Sequence, residues 1–381
     1  MLSLSDSASV APAPAGLAVP GSLPSGYRPA LNGVRALAVW LVVLGHWTLL
    51  PFPVGEMGRL TFFVLSGYLI SGIAWKQGLY QGPARRWWGP LRTFYARRVL
   101  RIIPPYYAAL ALGALLPLAT LREYPGWFLL PASNLLFYRL QRWGEGVGHF
   151  WTMAVDEQFY LLWPLLLAVV GRRTAAFLAV AVASLLFRIW WGTHQGSGFV
   201  LVLLPASLDL FALGAVLKLV ERRPAVQRWA QGRWACLAWA TWVAFWFATH
   251  LTNAHGLWLL LYPTVGSGAA FLTLNWVLSL PARPAAGQRP SLLLHPALQW
   301  LGQRSYGCYL YHLMLPVLYQ RVVYRLFAGA GTRAELLGPL PTALLLTPVL
   351  LLITAASWRW MEAPLDRLKH RLSYTSTSTV S

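Results

Sequence analysis

Three small groups of polar side chains stand in a chain otherwise made of long apolar runs, and their types and spacing suggest chemistry. The first lies in "ALNGVRALAVWLVVLGHWTLL", residues 30–50, where Arg35 and His46 interrupt a segment oily enough to span a bilayer. An α-helix turns by about 100° per residue, so eleven residues return His46 to within about 20° of Arg35, ~16 Å further along the axis. The two line one stripe at two depths. The second group is Asp156 and Glu157, followed by Gln158 and Tyr160, in "GHFWTMAVDEQFYLLWP" at 148–164. The third is Arg98-x-x-Arg101 in "FYARRVLRIIPPYY" at 94–107.

A histidine oriented by a carboxylate is a common proton acceptor for a hydroxyl. His46 lies near the outer end of its segment, and Asp156 and Glu157 enter theirs from the same side, so a His46–carboxylate pair is geometrically allowed. Acids in a first turn also suit a helix dipole; the active-site reading is preferred here. Arginines at i and i+3 share a helix face, and two guanidinium forks converging there bind a phosphate bidentately. Arg98 and Arg101, beside Pro104 and Pro105, are read as ligands, whereas Arg85, Arg86 and Arg92 are read as topology signals facing anionic lipid. Ser66 and Gly67 in "TFFVLSGYLI" lack the surroundings of a nucleophile elbow and are read as helix packing. Arg188, Asp209 and His312 are the remaining ionisable groups inside apolar segments, where such groups face a cavity or a partner.

Polar residues at those depths need a scaffold of buried helices. Of the 381 residues, 57% are hydrophobic and 11% charged, and the apolar runs approach the twenty residues that match a hydrocarbon core. The reading is an all-α membrane protein of about ten transmembrane helices, at 33–52, 59–76, 102–120, 154–171, 174–191, 201–220, 234–250, 257–280, 305–327 and 339–360. With a cytoplasmic N-terminus, 22 of the 31 basic residues fall in inner segments, which the positive-inside rule explains, with both termini cytoplasmic. The net charge of +20 therefore needs no nucleic acid. Residues 1–27, rich in Ala, Pro, Ser and Gly, lack signal-peptide features and are expected to be a disordered cytoplasmic tail. Residues 28–371 form the expected membrane domain and 372–381 a second disordered tail. Cys236 and Cys308 offer neither a disulfide nor metal-ligand spacing, and no metal is expected.

Taken together, Arg35-x10-His46, "FFVLSGYLI", "RRVLRIIPPYY", "FWTMAVDEQFYLLWP", "LGQRSYGCYLYHLMLP" at 301–316 and "WMEAPL" at 360–365 resemble the acyltransferase-3 family of integral membrane acyltransferases. The resemblance runs from about Leu31 to Leu365. It implies an acyl-CoA donor, usually acetyl-CoA, used from the cytoplasmic side, with His46 and Arg35 essential and Arg98 and Arg101 as the matching arginine pair. Some family members carry an added extracytoplasmic hydrolase-like domain, and none is expected here after residue 371. The sequence departs from the family pattern at Asn32, in "GRLTFF", and at Asp156, each where an acid of different identity or position is usual.

The expected activity is transfer of an acyl group, acetyl in the first instance, from acyl-CoA to a hydroxyl of a carbohydrate, lipid-linked or secondary-metabolite acceptor in the cell membrane. His46 with Asp156 and Glu157 would be catalytic, and Arg35, Arg98 and Arg101 would hold the donor's phosphates. Membrane lipid is the other partner. The rival is a transporter or flippase, which predicts paired broken helices in two similar halves; no such repeat is visible.

Overall fold

The computed structural model describes residues 28–48, 50, 52–78, 87–116, 118–195, 198–281, 291–327 and 338–372, and no strand occurs among them. The expected tails, 1–27 and all but the first residue of 372–381, lie outside the described residues, as do Arg85, Arg86, Arg283, Arg289 and Arg333. The main helices are α1 (Ala30–Trp47), α2 (Val54–Lys76), α3 (Trp88–Leu115), α4 (Phe150–Val170), α5 (Thr174–Gln195), α6 (Leu208–Val220), α7 (Gly232–Leu251), α8 (His255–Ser279), α9 (Pro296–Gln303), α10 (Ser305–Tyr311), α11 (Met314–Phe327), α12 (Pro339–Ser357) and α13 (Ala363–Arg371).

By length and apolarity, α1, α2, α4, α5, α8 and the run from Pro339 to Leu368 suffice to cross a membrane, which makes six spans. The other four expected spans fall outside these six. The segment 234–250 lies on α7, a Trp-rich helix, and residues 102–115 are the second half of α3, whose first half holds Arg92, Arg97, Arg98 and Arg101. The segment 201–220 begins as two 3-10 turns before α6, and 305–327 breaks between α10 and α11. Six spans are carried by the structure; ten, with both ends cytoplasmic, remains a proposal. Apolar side chains such as Leu162, Val169, Leu186, Leu344 and Leu352 are exposed on the outside of the bundle, as lipid-facing helix surfaces require.

Small residues set the closest contacts. Gly67 of α2 and Gly214 of α6 face each other's helices, and a Cβ on Gly67 would overlap the Phe211 carbonyl while one on Gly214 would overlap the Val64 carbonyl. That agrees with the packing expectation for Gly67. Gly58 abuts the Ala38 backbone and Gly45 abuts Gly55, which locks α1 and α2 antiparallel. Two hydrophobic clusters result. One gathers α2, α4, α6 and α8 around Phe63, Phe159 and Phe211. The other gathers the end of α1, the segment 106–150 and α10–α12 around Phe128, Phe150 and Leu310. Arg188 and Asp209, both flagged as membrane-buried charges, pair with each other at 2.8 Å. The Arg188 guanidinium also donates to the carbonyls of Leu260 and Ala206, and Thr264 donates to Asp209. None of these residues lines the cavity between the two clusters. Cys236 and Cys308 are free thiols.

Candidate active site

A cavity of about 290 Å3 lies in the seam between the two clusters, lined from α1, α2, α3, α4 and α10. Along α2 its wall runs from Arg59 to Ile73, about 21 Å at the helical rise. Helix α4 supplies Thr152, Asp156 and Tyr160 at every fourth residue, with Met153 and Glu157 beside them; that spacing puts all five on one face. Gln158 points elsewhere and bonds Asn134 and the Pro131 carbonyl.

Arg35, Arg98 and Arg101 all line this cavity, from two helices distant in sequence. Their charges act on one another, and no carboxylate lies within 4.0 Å of Arg35 or Arg101 among the described residues. Arg98 lies over the Tyr160 ring at 5.0 Å. Helix α3 continues through Pro104 and Pro105. Neither ring can donate to the preceding turn, and at this turn the Tyr306 hydroxyl donates to the Ile102 carbonyl at 2.9 Å, joining α10 to α3. The π-helical turn Trp358–Glu362 brings Glu362 near Arg101 and Arg35, where it accepts from Ser357 at 3.0 Å. Such turns recur at functional sites.

Asp156 and Glu157 join the arginines rather than the histidine. His46 is not part of the cavity lining, and its hydrogen-bond partner is His312, with His46 Nδ1 2.9 Å from His312 Nε2. The carboxylate whose charge reaches His46 is Glu56, which the Gly45–Gly55 contact brings to the same level. The cavity end towards the histidines is formed by Thr152 and Tyr309, joined hydroxyl to hydroxyl at 2.5 Å. Behind Tyr309 stand His312, with ring centroids 5.3 Å apart, and His149, 5.6 Å away.

The hydrogen bonds fix which nitrogens carry protons. His312 Nδ1 lies 2.6 Å from the Tyr309 carbonyl, which only accepts, so a neutral His312 keeps its proton on Nδ1. Its Nε2 is then an acceptor, and His46 must donate from Nδ1. That leaves the lone pair of His46 on Nε2, free to take a proton. His312 is fully buried, whereas His46 is exposed. The position of His312 follows from Pro316, which cannot donate to the His312 carbonyl one turn back. The Trp47 indole donates to that carbonyl instead, at 2.9 Å. Adjacent residues of α1 thus grip the break between α10 and α11 at two points.

Four buried polar atoms on the cavity wall have no hydrogen-bond partner among the described residues: Arg59 Nη1, Asp156 Oδ1, Glu157 Oε1 and Ser305 Oγ. Buried polar groups are ordinarily satisfied, so four orphans on one wall fit a polar ligand. No group of three or more His, Cys, Asp or Glu side chains among the described residues is arranged to hold a metal. Sequence reasoning passed over His149, Tyr309, Glu362 and the Glu56–Arg59 pair. His149 and Tyr309 sit inside stretches already singled out, and Glu56-x-x-Arg59 is an i,i+3 ion pair visible in "GEMGR".

The model of a family described as an acyltransferase domain matches residues 28–359. A Staphylococcus aureus (strain MSSA476) protein provisionally named an O-acetyltransferase is 26% identical over 75% of this chain and 50% of its own length. A Bacillus subtilis (strain 168) protein provisionally named a peptidoglycan O-acetyltransferase is 27% identical over 77% of this chain and 49% of its own. The peptidoglycan O-acetyltransferase OatA of Listeria monocytogenes is 30% identical over 38% of this chain and 24% of its own. The chain thus spans about half the length of the first two. No solved structure matches. Six apolar helices and the matching family together make this a multi-pass membrane protein.

Proposed function

The chain belongs to this acyltransferase family, and from that premise we propose that it moves an acyl group, acetyl in the first instance, from acyl-CoA to a hydroxyl of a carbohydrate-bearing acceptor at the cell membrane. One observation carries the reading. Arg35, Arg98 and Arg101 converge on one cavity that ends at Tyr309, with His312 and His149 behind that ring and His46 bonded to His312 in turn. Converging guanidinium groups suit the phosphates of CoA, and an extended pantetheine arm has a reach comparable with the ~16 Å between Arg35 and His46 along α1. The named acceptor of the relatives, peptidoglycan, supports a glycan hydroxyl here; lipid-linked sugars share the same chemistry.

In the proposed step His46 Nε2 takes the proton of the acceptor hydroxyl as its oxygen bonds to the thioester carbon. The C–S bond then breaks, and the imidazolium returns the proton to the thiolate. The products are an ester and free CoA. His312 holds His46 in the tautomer this requires. Exposure of His46 leaves a side open for the acceptor, while the donor occupies the cavity. Asp156, with Arg98 and Arg35 as its charged neighbours, and the adjacent Glu157 on the same wall serve the donor station in this account.

Membrane vesicles containing the protein test this directly. Inside-out vesicles with cell-envelope glycan enclosed in their lumen and acetyl-CoA added outside should release CoA thiol and yield acetylated glycan, and right-side-out vesicles given acetyl-CoA outside should release none. Thiol release from sealed right-side-out vesicles, or none from either, contradicts the reading.

A further inference from the structure

Arg59 is held more tightly than its place on a cavity wall requires. Its side chain is 6% exposed, and its Nε and Nη2 donate to the same oxygen of Glu56 at 2.8 and 2.6 Å. Nη2 also donates to the Tyr262 hydroxyl at 3.1 Å, and that hydroxyl donates to Glu56 at 2.8 Å. The guanidinium carbon lies 5.2 Å from the Trp151 ring and 5.4 Å from the Phe63 ring. A planar fork clamped on two edges cannot turn. What remains is Nη1, buried and without a hydrogen-bond partner among the described residues, on a residue that lines the cavity at the end nearest the histidines.

An unpaired buried donor is costly, and Arg59 belongs to the cavity lining, so an oxygen of the ligand is the partner within its reach. The charge of Glu56 already balances the guanidinium, so the group suits a carbonyl oxygen better than a second full anion. The anion station lies elsewhere on the wall, with Arg35, Arg98 and Arg101. The geometry points to Arg59 Nη1 as the hydrogen-bond donor to the thioester carbonyl oxygen of the acyl donor. This rests on the acyl-CoA reading above. As the acceptor oxygen attacks, the carbonyl electron pair moves onto that oxygen, where Nη1 meets the growing negative charge. The pair returns as the C–S bond breaks and the thiolate leaves. A donor fixed before reaction and shielded from water stabilises such an oxyanion most. Arg59 stands in "GRLTFF", a place where the chain departs from its family's usual residues.

Two unreactive donors isolate the contact: S-ethyl-CoA, which lacks the carbonyl oxygen, and the acetamide analogue, in which NH replaces sulfur and the carbonyl is kept. Wild-type protein in detergent should bind the amide at least about tenfold more tightly, and Arg59→Lys should bring the two affinities together while kcat falls ~10²-fold. Should Arg59→Lys fail to fold, Glu56→Gln combined with Arg59→Gln removes both charges and leaves no unpaired acid; the same convergence is expected. An unchanged preference for the amide in whichever variant folds overturns the role of Arg59 and leaves the donor reading intact. Failure of wild type to bind either analogue overturns both.

Discussion

In the proposed mechanism His46 accepts a proton only because of the hydrogen bonds behind it. The Tyr309 carbonyl fixes the His312 proton, and His312 in turn fixes His46, so a change two side chains from the reacting atom should reach the rate. His312→Phe is expected to lower kcat by roughly 10–100-fold through loss of orientation, with acetyl-CoA affinity unchanged. His312→Gln, whose amide oxygen still accepts from His46 Nδ1, should recover most of that loss. Equal loss in both variants, measured as kcat and KM in one assay, would assign His312 to folding alone. Arg35 and His46 are conspicuous as ionisable residues in an apolar run, and Arg98 and Arg101 by their i,i+3 spacing beside a double proline, so the sequence alone points to all four. It could not show that the partner of His46 is a histidine 266 residues away rather than a carboxylate of the stretch at 148–164, since that choice depends on how α10 breaks.

Elements position these residues through their irregularities. Helix α10 ends at Tyr311 because Pro316 leaves a carbonyl unpaired, and Trp47 caps it. Periodicity alone reads 305–327 as one span, since apolar residues continue across the break. The same holds for 201–220, where the chain arrives through 3-10 turns before α6. The start of α6 carries Asp209, fixed by Arg188 from α5. Asp209→Ala leaves a fully buried guanidinium without its counter-charge, which costs about 3–5 kcal/mol. Thermal unfolding in detergent should show a markedly lower midpoint, while turnover per folded molecule stays near wild type because neither residue lines the candidate active site. A variant that unfolds normally yet loses turnover would place Arg188 and Asp209 in the reaction.

Across the whole molecule, two hydrophobic clusters meet along a cavity lined by Arg35, Arg98 and Arg101 that ends at Thr152 and Tyr309, with His312 and His149 behind Tyr309. The apolar class and the identity of the stations follow from composition and spacing; the seam between the clusters does not, because it is made by contacts such as Gly58 with Ala38 and Gly67 with Phe211 that join distant segments. The central claim is that binding and chemistry are separate: the arginines hold the donor and His46 transfers its acyl group. Calorimetric titration of purified wild type, His46→Gln and Arg98→Ala/Arg101→Ala with acetyl-CoA tests it most directly. The account predicts wild-type affinity for His46→Gln, despite a ~10²–10⁴-fold fall in turnover, and at least a tenfold weaker affinity for the arginine variant, as loss of charge-assisted bonds requires. Equal loss of affinity in both variants, or undiminished affinity in the arginine variant, would contradict it.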